Sequence, residues 1–273
     1  MTTSMERPLL LVGCGKMGGA LLSGWLESGI TAAGVEVIEP MGAAAFEGRP
    51  GVTIHDAIDG LAGDLDPEVV VFAVKPQQMD EAAPPFSKFV SPSTVFLSIA
   101  AGTTIAYFED RLGAEAAIVR AMPNTPAAIG QGITVVTSNA TTNDAQRELC
   151  RALVAATGEA VMVDDEGLMD AVTALSGSGP AYVFLLIECM AEAGVQAGLP
   201  RDLAERLALV TVAGSGQLAL TSDAPPSQLR ENVTSPGGTT HEALQVLMAD
   251  DGLQKIMTEA IAAATRRGRE LAG

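Results

Sequence analysis

The sequence predicts an α/β fold, with a doubly wound, mostly parallel sheet over residues 1–163 and an all-helical domain over residues 164–273. Three observations predict it. Short apolar runs rich in β-branched residues alternate with helical patterns through the first half, as a parallel sheet buried on both faces requires. A glycine-rich turn follows the first of these runs. Beyond residues 163–166 the strand patterns stop, and helical patterns continue, separated by Gly, Pro and Ser.

Taken in order, strands are expected at 8–12, 35–38, 69–74, 94–99, 117–121, 133–137 and 159–163. Helices are expected between them at 17–27, 76–86 and 143–156, which is the alternation of βαβ units. The second half reads as helices at 178–197, 201–220, 226–233, 240–248 and 252–271, with a break at 223–226. A length of 273 residues suits two domains at roughly 150 residues each. The low aromatic content of 4% favours tightly packed helices and parallel strands over a β-sandwich.

Charge narrows the function classes. With 16 Lys+Arg against 33 Asp+Glu the net charge is -17, which repels phosphate backbones and anionic membrane surfaces. Neither nucleic acid nor a membrane is therefore an expected partner, and any anionic ligand must be held locally. Cys14, Cys150 and Cys189 are odd in number, far apart and without a C-x-x-C pair, so neither a disulfide framework nor a zinc site is expected and a reducing cytoplasm is the simplest setting. The apolar run reaching Gly13 is only about five residues long, too short for a secretory leader. The longest later one, 181–199, is broken by Glu188, Glu192 and Gln196, so no spanning helix is expected. The two histidines, His55 and His241, form no metal-ligand spacing, and no metal is expected.

The chemistry-bearing signals fall at loops. Leu9 to Val12 lead directly into Gly13-Cys14-Gly15-Lys16-Met17-Gly18, a G-x-G-x-x-G turn between strand and helix, the context of a Rossmann-type dinucleotide site. The first glycine allows the tight turn, the second a close approach of backbone to a pyrophosphate, and the third close packing of helix on strand. The helix N-terminus adds N–H groups and a positive dipole end. Glu39 closes the second strand, where a carboxylate accepts hydrogen bonds from ribose hydroxyls and repels a 2′-phosphate. NADH is thus favoured slightly over NADPH. Two further loops, Ala73-Val74-Lys75-Pro76 and Ala121-Met122-Pro123-Asn124-Thr125-Pro126, lie at strand carboxyl ends, the ligand edge of open α/β sheets. Taken alone, Lys75 also reads as a surface lysine and Asn124 as a turn former.

In the helical half, Ser235-Pro236-Gly237-Gly238-Thr239-Thr240 leads into a helix. Thr239 followed three residues later by Glu242 fits a capping box with Thr239 as N-cap. The same Gly-Gly turn also makes a nest of N–H donors suited to one small carboxylate, with the Ser235 and Thr240 hydroxyls as neutral donors. Both readings stand on the sequence.

Six blocks, in order and spacing, resemble pyrroline-5-carboxylate reductase, an enzyme of proline biosynthesis: 12–18, 73–76, 98–102, 120–126, 176–182 and 235–240. The similarity runs from about Leu9 to Leu271. The resemblance implies a Rossmann domain followed by an all-helical domain that interlocks with a second subunit, the active site lying between the domains and the homodimer, or a higher homo-oligomer, being the functional unit. It implies hydride transfer from NADH or NADPH to the C=N bond of 1-pyrroline-5-carboxylate, giving L-proline. It places Ser235, Gly237, Gly238, Thr239 and Thr240 on the substrate, with Thr240 on the ring nitrogen as the catalytic group. It places Gly13, Gly15, Lys16, Met17, Gly18, Ala73, Val74, Lys75 and Pro76 on the dinucleotide, with Asn124 near the nicotinamide; Glu39 joins this set on the reading of the second strand's end alone. Family members often carry Ser, Thr or Asn where Glu39 stands, and Thr239 replaces a frequent alanine.

Three other readings compete. The β-hydroxyacid dehydrogenases join the same kinds of domain but use a lysine early in the helical half, whereas the only lysine after residue 88 here is Lys255. Another cyclic-imine or keto-acid reductase fits the same loops. A non-catalytic dinucleotide sensor would need the Gly237-Thr240 loop to be merely a cap.

Overall fold

The computed structural model describes residues 5–272. Eight strands form one sheet: β1 Leu9–Val12, β2 Val35–Ile38, β3 Val52–His55, β4 Val69–Phe72, β5 Val95–Ser98, β6 Ala117–Met122, β7 Gly132–Ser138 and β8 Gly158–Met162. Their order is β3-β2-β1-β4-β5-β6-β7-β8, parallel throughout except for the antiparallel β6–β7 pair. The order reverses beside β1, which pairs with β2 on one side and β4 on the other, and the crevice at such a reversal is where open sheets bind ligands.

Side chains alternate across the sheet because the strand period is two. Leu9, Leu11, Val69, Val71, Leu97 and Val119 face one core layer with Leu21, Leu22 and Trp25 of α1 Lys16–Ser28. Leu10, Val12, Val70, Phe72, Phe96 and Ile118 face the other, which holds Phe86 and Phe108. Both faces are dry, which is why the strands read as unbroken apolar runs. The exceptions are the two edge strands, β3 and β8, both partly exposed along their length; β3, polar at Thr53 and His55, is the one that the apolar-run criterion passes over.

The expected helix over 76–86 is broken into a 3₁₀ turn Pro76–Gln78, the single turn α2 Met79–Ala82 and a second 3₁₀ segment Pro84–Phe89. Pro84 and Pro85 have no N–H to continue the α ladder. Next come α3 Ile105–Leu112, absent from the sequence expectations, and α4 Asp144–Ala155, which opens on a complete capping box between Asn143 and Gln146. The single turn α5 Met169–Val172 continues into a π-helical turn, Thr173–Gly177. Beyond it lie α6 Gly179–Gln196, α7 Arg201–Thr221, α8 Pro226–Asn232, α9 Thr239–Leu247 and α10 Leu253–Ala272.

The chain forms two compact units. One runs through Gly177 and includes the chain from Thr265 onward; the other is Ser178–Ala264. The expected boundary at 163/164 marks the end of the last strand, whereas residues 164–177 stay with the sheet. Glu166 Oε1 accepts hydrogen bonds from the buried Arg120 guanidinium of β6 and from the Ile105 N–H that opens α3, each at 2.8 Å. In the second unit α6 and α7 pack through small residues, with Ala204 against Gly194 and both Ala204 and Ala208 buried. Much of the rest is apolar and exposed, including Phe184 at 58% and Leu185 at 57%. Against the expectation of no spanning helix, the helical stretch Glu166–Gln196 is long and apolar enough by length and composition to cross a membrane, and only 11% of its most apolar window is buried. A surface of this kind on a folded unit marks an interaction face.

Candidate active site

The turn after β1 carries the geometry that its three glycines anticipate. Gly13 has φ +92, in the left-handed region, and a Cβ there would lie 2.8 Å from Val74 Cγ1 and 3.0 Å from the Ala73 carbonyl carbon. Gly18 packs against the Gly13 carbonyl and Ala73, so helix, turn and the β4 loop interlock without room for a side chain. Above Gly15, by contrast, there is open space, and Gly15 caps α1 with no side-chain bond. The first turn of α1 contains no acidic residue, so its amides and dipole face outward for a phosphate. These residues fit a dinucleotide. Lys16 is exposed at the first position of α1, while Met17 packs its side chain on the sheet core and has only backbone to offer.

Glu39 Oε2 accepts the Cys14 N–H at 2.7 Å, and Oε1 accepts the Met41 N–H at 3.3 Å. The carboxylate is thus drawn against the glycine turn. Burial, and secondarily the Glu39 charge, push the Cys14 thiol up to about 11. Beside it lies an open cavity of about 620 Å³, whose lining includes Gly15, Glu39, Asp56, Ala73, Val74 and Lys75. Asp56 and Glu81 line it as well, so three carboxylates face one ammonium. Sequence reasoning missed Asp56 because it follows β3, the strand that was itself missed.

Farther along the same sheet edge a cavity of about 430 Å³ is lined by Pro76, Gln77, Ala101, Gly102, Asp170 and Thr173, among others. Asn124 does not project freely into solvent. Its Oδ1 accepts the Ile133 N–H at 3.0 Å and its Nδ2 donates to Ser176 Oγ at 3.3 Å.

The second glycine loop lies in the other unit. Gly237 has φ +69, and the Gly238 N–H donates to the Ser235 carbonyl at 3.0 Å. The expected capping box is not formed. The N-cap is Gly238, extended at φ -82 and ψ 171, with no side-chain cap; Thr239 is already the first helical residue, which shifts Glu242 out of capping register. The Glu242 backbone N–H donates to the Gly238 carbonyl at 3.2 Å, within the helix. The amides that a Thr or Ser cap would have engaged therefore have no side-chain partner. Thr240 is half-buried and Ser235 and Thr239 are exposed. His241 is paired with Gln245 at 2.9 Å. Among the described residues no group of His, Cys, Asp and Glu is arranged to hold a metal, and Cys14, Cys150 and Cys189 are free thiols.

Comparison with known proteins gives this arrangement a family. Residues 166–271 match the family model for pyrroline-5-carboxylate reductase dimerisation, and residues 9–102 match that for NADP oxidoreductase, coenzyme F420-dependent. The chain is 40% identical over 268 residues to a pyrroline-5-carboxylate reductase of Pseudomonas aeruginosa, covering 97% of this chain and 96% of that one. It is 39% identical to that of Synechocystis, covering 98% and 99%. Among solved structures, a pyrroline-5-carboxylate reductase from Coxiella burnetii superposes with a TM-score of 0.89 at 33% identity over the full length of both chains. The Plasmodium falciparum enzyme with NADP bound superposes with a TM-score of 0.83 at 30% identity, covering 99% and 100%. Full-length identity of this order, with the dinucleotide cradle and the uncapped glycine loop both in place, leads to one conclusion: the chain belongs to the pyrroline-5-carboxylate reductase family.

Proposed function

We propose that this chain reduces the C=N bond of 1-pyrroline-5-carboxylate to L-proline, with NADH as its preferred reductant and a homodimer as its working form. The observation that carries the reading is the pairing of two sites of matched chemistry. One is a glycine cradle shaped for a pyrophosphate; the other is an uncapped helix end suited to a single carboxylate.

The dinucleotide, when bound, supplies the hydride. Gly13, Gly15 and Gly18 form its pyrophosphate cradle with the amides of Lys16 and Met17, Glu39 takes the adenosine ribose, Ala73, Val74 and Lys75 wall the cleft, and Pro76 lines the neighbouring cavity. In the other unit, the amides following Gly237 and Gly238, at Thr239 and Thr240, hold the substrate carboxylate together with the Ser235 hydroxyl. Thr240 Oγ1 then orients the ring nitrogen. An imine already protonated to the iminium needs little acid catalysis, so a hydroxyl suffices where no histidine stands. Bringing donor and acceptor carbons to about 3–3.5 Å is the main contribution of the protein.

NADH is preferred because Glu39, Asp56 and Glu81 line the adenosine-side cavity and would each repel a 2′-phosphate. The exposed apolar face of α6 and α7 lies within the segment matching the dimerisation model, which supports pairing of two copies. The free thiols suit the cytoplasm.

The test is nicotinamide absorbance decay with purified protein and racemic 1-pyrroline-5-carboxylate, run with NADH and NADPH in parallel. Substrate-dependent oxidation, faster with NADH, is expected. No oxidation with either dinucleotide, from folded dimeric protein, overturns the reading and moves the search to other cyclic imines.

A further inference from the structure

Ser176 opens the 176–182 block, and neither the dinucleotide cradle nor the carboxylate nest accounts for it. It lies on the π-helical turn Thr173–Gly177, a geometry found disproportionately at functional sites. The direction of its hydroxyl follows from hydrogen-bond complementarity. The Ile133 N–H only donates, so the Asn124 atom facing it at 3.0 Å is the carbonyl Oδ1. The other end of that amide is then Nδ2, a donor, and Ser176 Oγ accepts from it at 3.3 Å. A hydroxyl that accepts from Asn124 keeps its own proton for a different acceptor. Among the described residues no protein group takes that proton.

The position suits a ligand. The Asn124 loop closes β6 at the carboxyl edge of the sheet, two strands beyond β4 and its Ala73–Pro76 loop, or about 10 Å along the edge. A dinucleotide whose pyrophosphate rests on α1 beside β1, and whose adenosine lies toward Glu39 on β2, extends its other end in this direction. Thr173, three residues before Ser176, already lines the 430 Å³ cavity at this part of the edge. Met122, at the end of β6, fills the space beside Gly177 and pins the π turn in place.

We propose that Ser176 is a ligand-contacting residue whose hydroxyl, aimed by Asn124, donates a hydrogen bond to a carbonyl-type oxygen at the reacting end of the site. The proposal rests on the reductase reading. Two sources carry such an oxygen, the nicotinamide carboxamide and the substrate carboxylate.

The experiment compares wild type with Ser176→Ala, Asn124→Asp and the double variant. It measures kcat, KM for both ligands, and Kd for NADH by fluorescence titration. Ser176→Ala is expected to lower kcat/KM by about 3- to 10-fold, the loss of one hydrogen bond. Asn124→Asp keeps the acceptor for Ile133 but faces Ser176 with an acceptor in place of a donor. The hydroxyl proton turns to the new carboxylate, and a loss at least as large is expected, with little added when Ser176 is already alanine. A raised NADH Kd assigns the acceptor to the nicotinamide; an unchanged Kd with a raised KM for the imine assigns it to the substrate. Folded Ser176→Ala with Kd and kinetic constants all within twofold of wild type overturns the proposal, and if that variant does not fold, unchanged constants in Asn124→Asp do so. Wild-type inactivity would defeat the reductase reading instead, and the NADH titrations then decide the proposal alone.

Discussion

The Glu39 carboxylate and the Cys14 amide of the glycine turn meet at 2.7 Å across 25 residues of chain. With the Met41 N–H on its second oxygen, the carboxylate is held in place at the proposed ribose end of the cleft. A fixed charge discriminates better than a mobile one, because it cannot swing away from a 2′-phosphate. Replacing it by serine, Glu39→Ser, is expected to raise the NADPH-to-NADH ratio of kcat/KM by about tenfold, equivalent to about 1.4 kcal/mol. Asp56 and Glu81 remain in the same cavity, so preference narrows without full inversion. An unchanged ratio would remove Glu39 from the discrimination.

The burial of Cys14, and secondarily the Glu39 charge beside it, has a signature in stability at high pH. The Cys14 thiol titrates at about 11 in the folded chain against 9.0 for the ordinary thiol. Between those values the unfolded chain has lost the proton and the folded chain has kept it, so folding stability from this group is complete below pH 9 and falls as pH rises toward 11. The melting temperature of Cys14→Ala is expected to fall less steeply over that window. Parallel curves for the two proteins would show that the burial of Cys14 has no such consequence.

Thr239 and Thr240 separate by function. Thr240→Ala is expected to reduce kcat/KM for the imine by about 10- to 100-fold with little change in NADH affinity, given its proposed role in orienting the reacting nitrogen. Thr239→Ala is expected to leave stability within about 0.5 kcal/mol of wild type, because its hydroxyl caps nothing. A loss near 1 kcal/mol in urea unfolding would mean that the capping box forms after all.

How much of this was legible in the sequence depended on which force fixed each part. Strands buried on both faces announce themselves as apolar runs, and β2 Val35–Ile38 is bounded as expected. The edge strand β3 is half wet and lacked that signal. The 76–86 segment carried a helical apolar pattern that three prolines overrode. The α9 cap was misplaced by one residue, because a capping box and a Gly-capped helix share the same letters, and only backbone dihedrals distinguish them. The glycine turn and Glu39 were readable because their chemistry is local. Asp56 and the Asn124–Ser176 bond were not, since they depend on distant strands and helices coming together.

Arg120 is almost wholly buried on β6 and is neutralised by Glu166 Oε1 at 2.8 Å. Glu166→Ala strands that guanidinium and also leaves the Ile105 N–H at the start of α3 without its acceptor. Removing one partner of a buried pair costs about 3–5 kcal/mol; with Glu166 itself partly exposed, the lower end of that range is expected in urea unfolding. A cost below 1 kcal/mol would mean that water reaches Arg120.

Phe184 and Leu185 form part of an apolar face on α6 that the chain leaves uncovered. Phe184→Asp is expected to convert a dimer to monomer in sedimentation velocity and to abolish most activity. A variant that stays dimeric and active would place the subunit contact elsewhere.

Trp25, the single tryptophan, is fully buried where α1 meets α4, its indole N–H donating to the Leu153 carbonyl at 2.8 Å. The protein therefore carries one intrinsic tryptophan fluorophore, placed on the helix whose other end is the proposed dinucleotide site. Its emission should be blue-shifted in the native state and overlap the absorption band of reduced nicotinamide, making energy transfer a titration signal that needs no label. Because unit Ser178–Ala264 contains no tryptophan, the same emission follows melting of the sheet unit alone, while ellipticity at 222 nm follows all the helices, so the two traces can be resolved in one heating experiment.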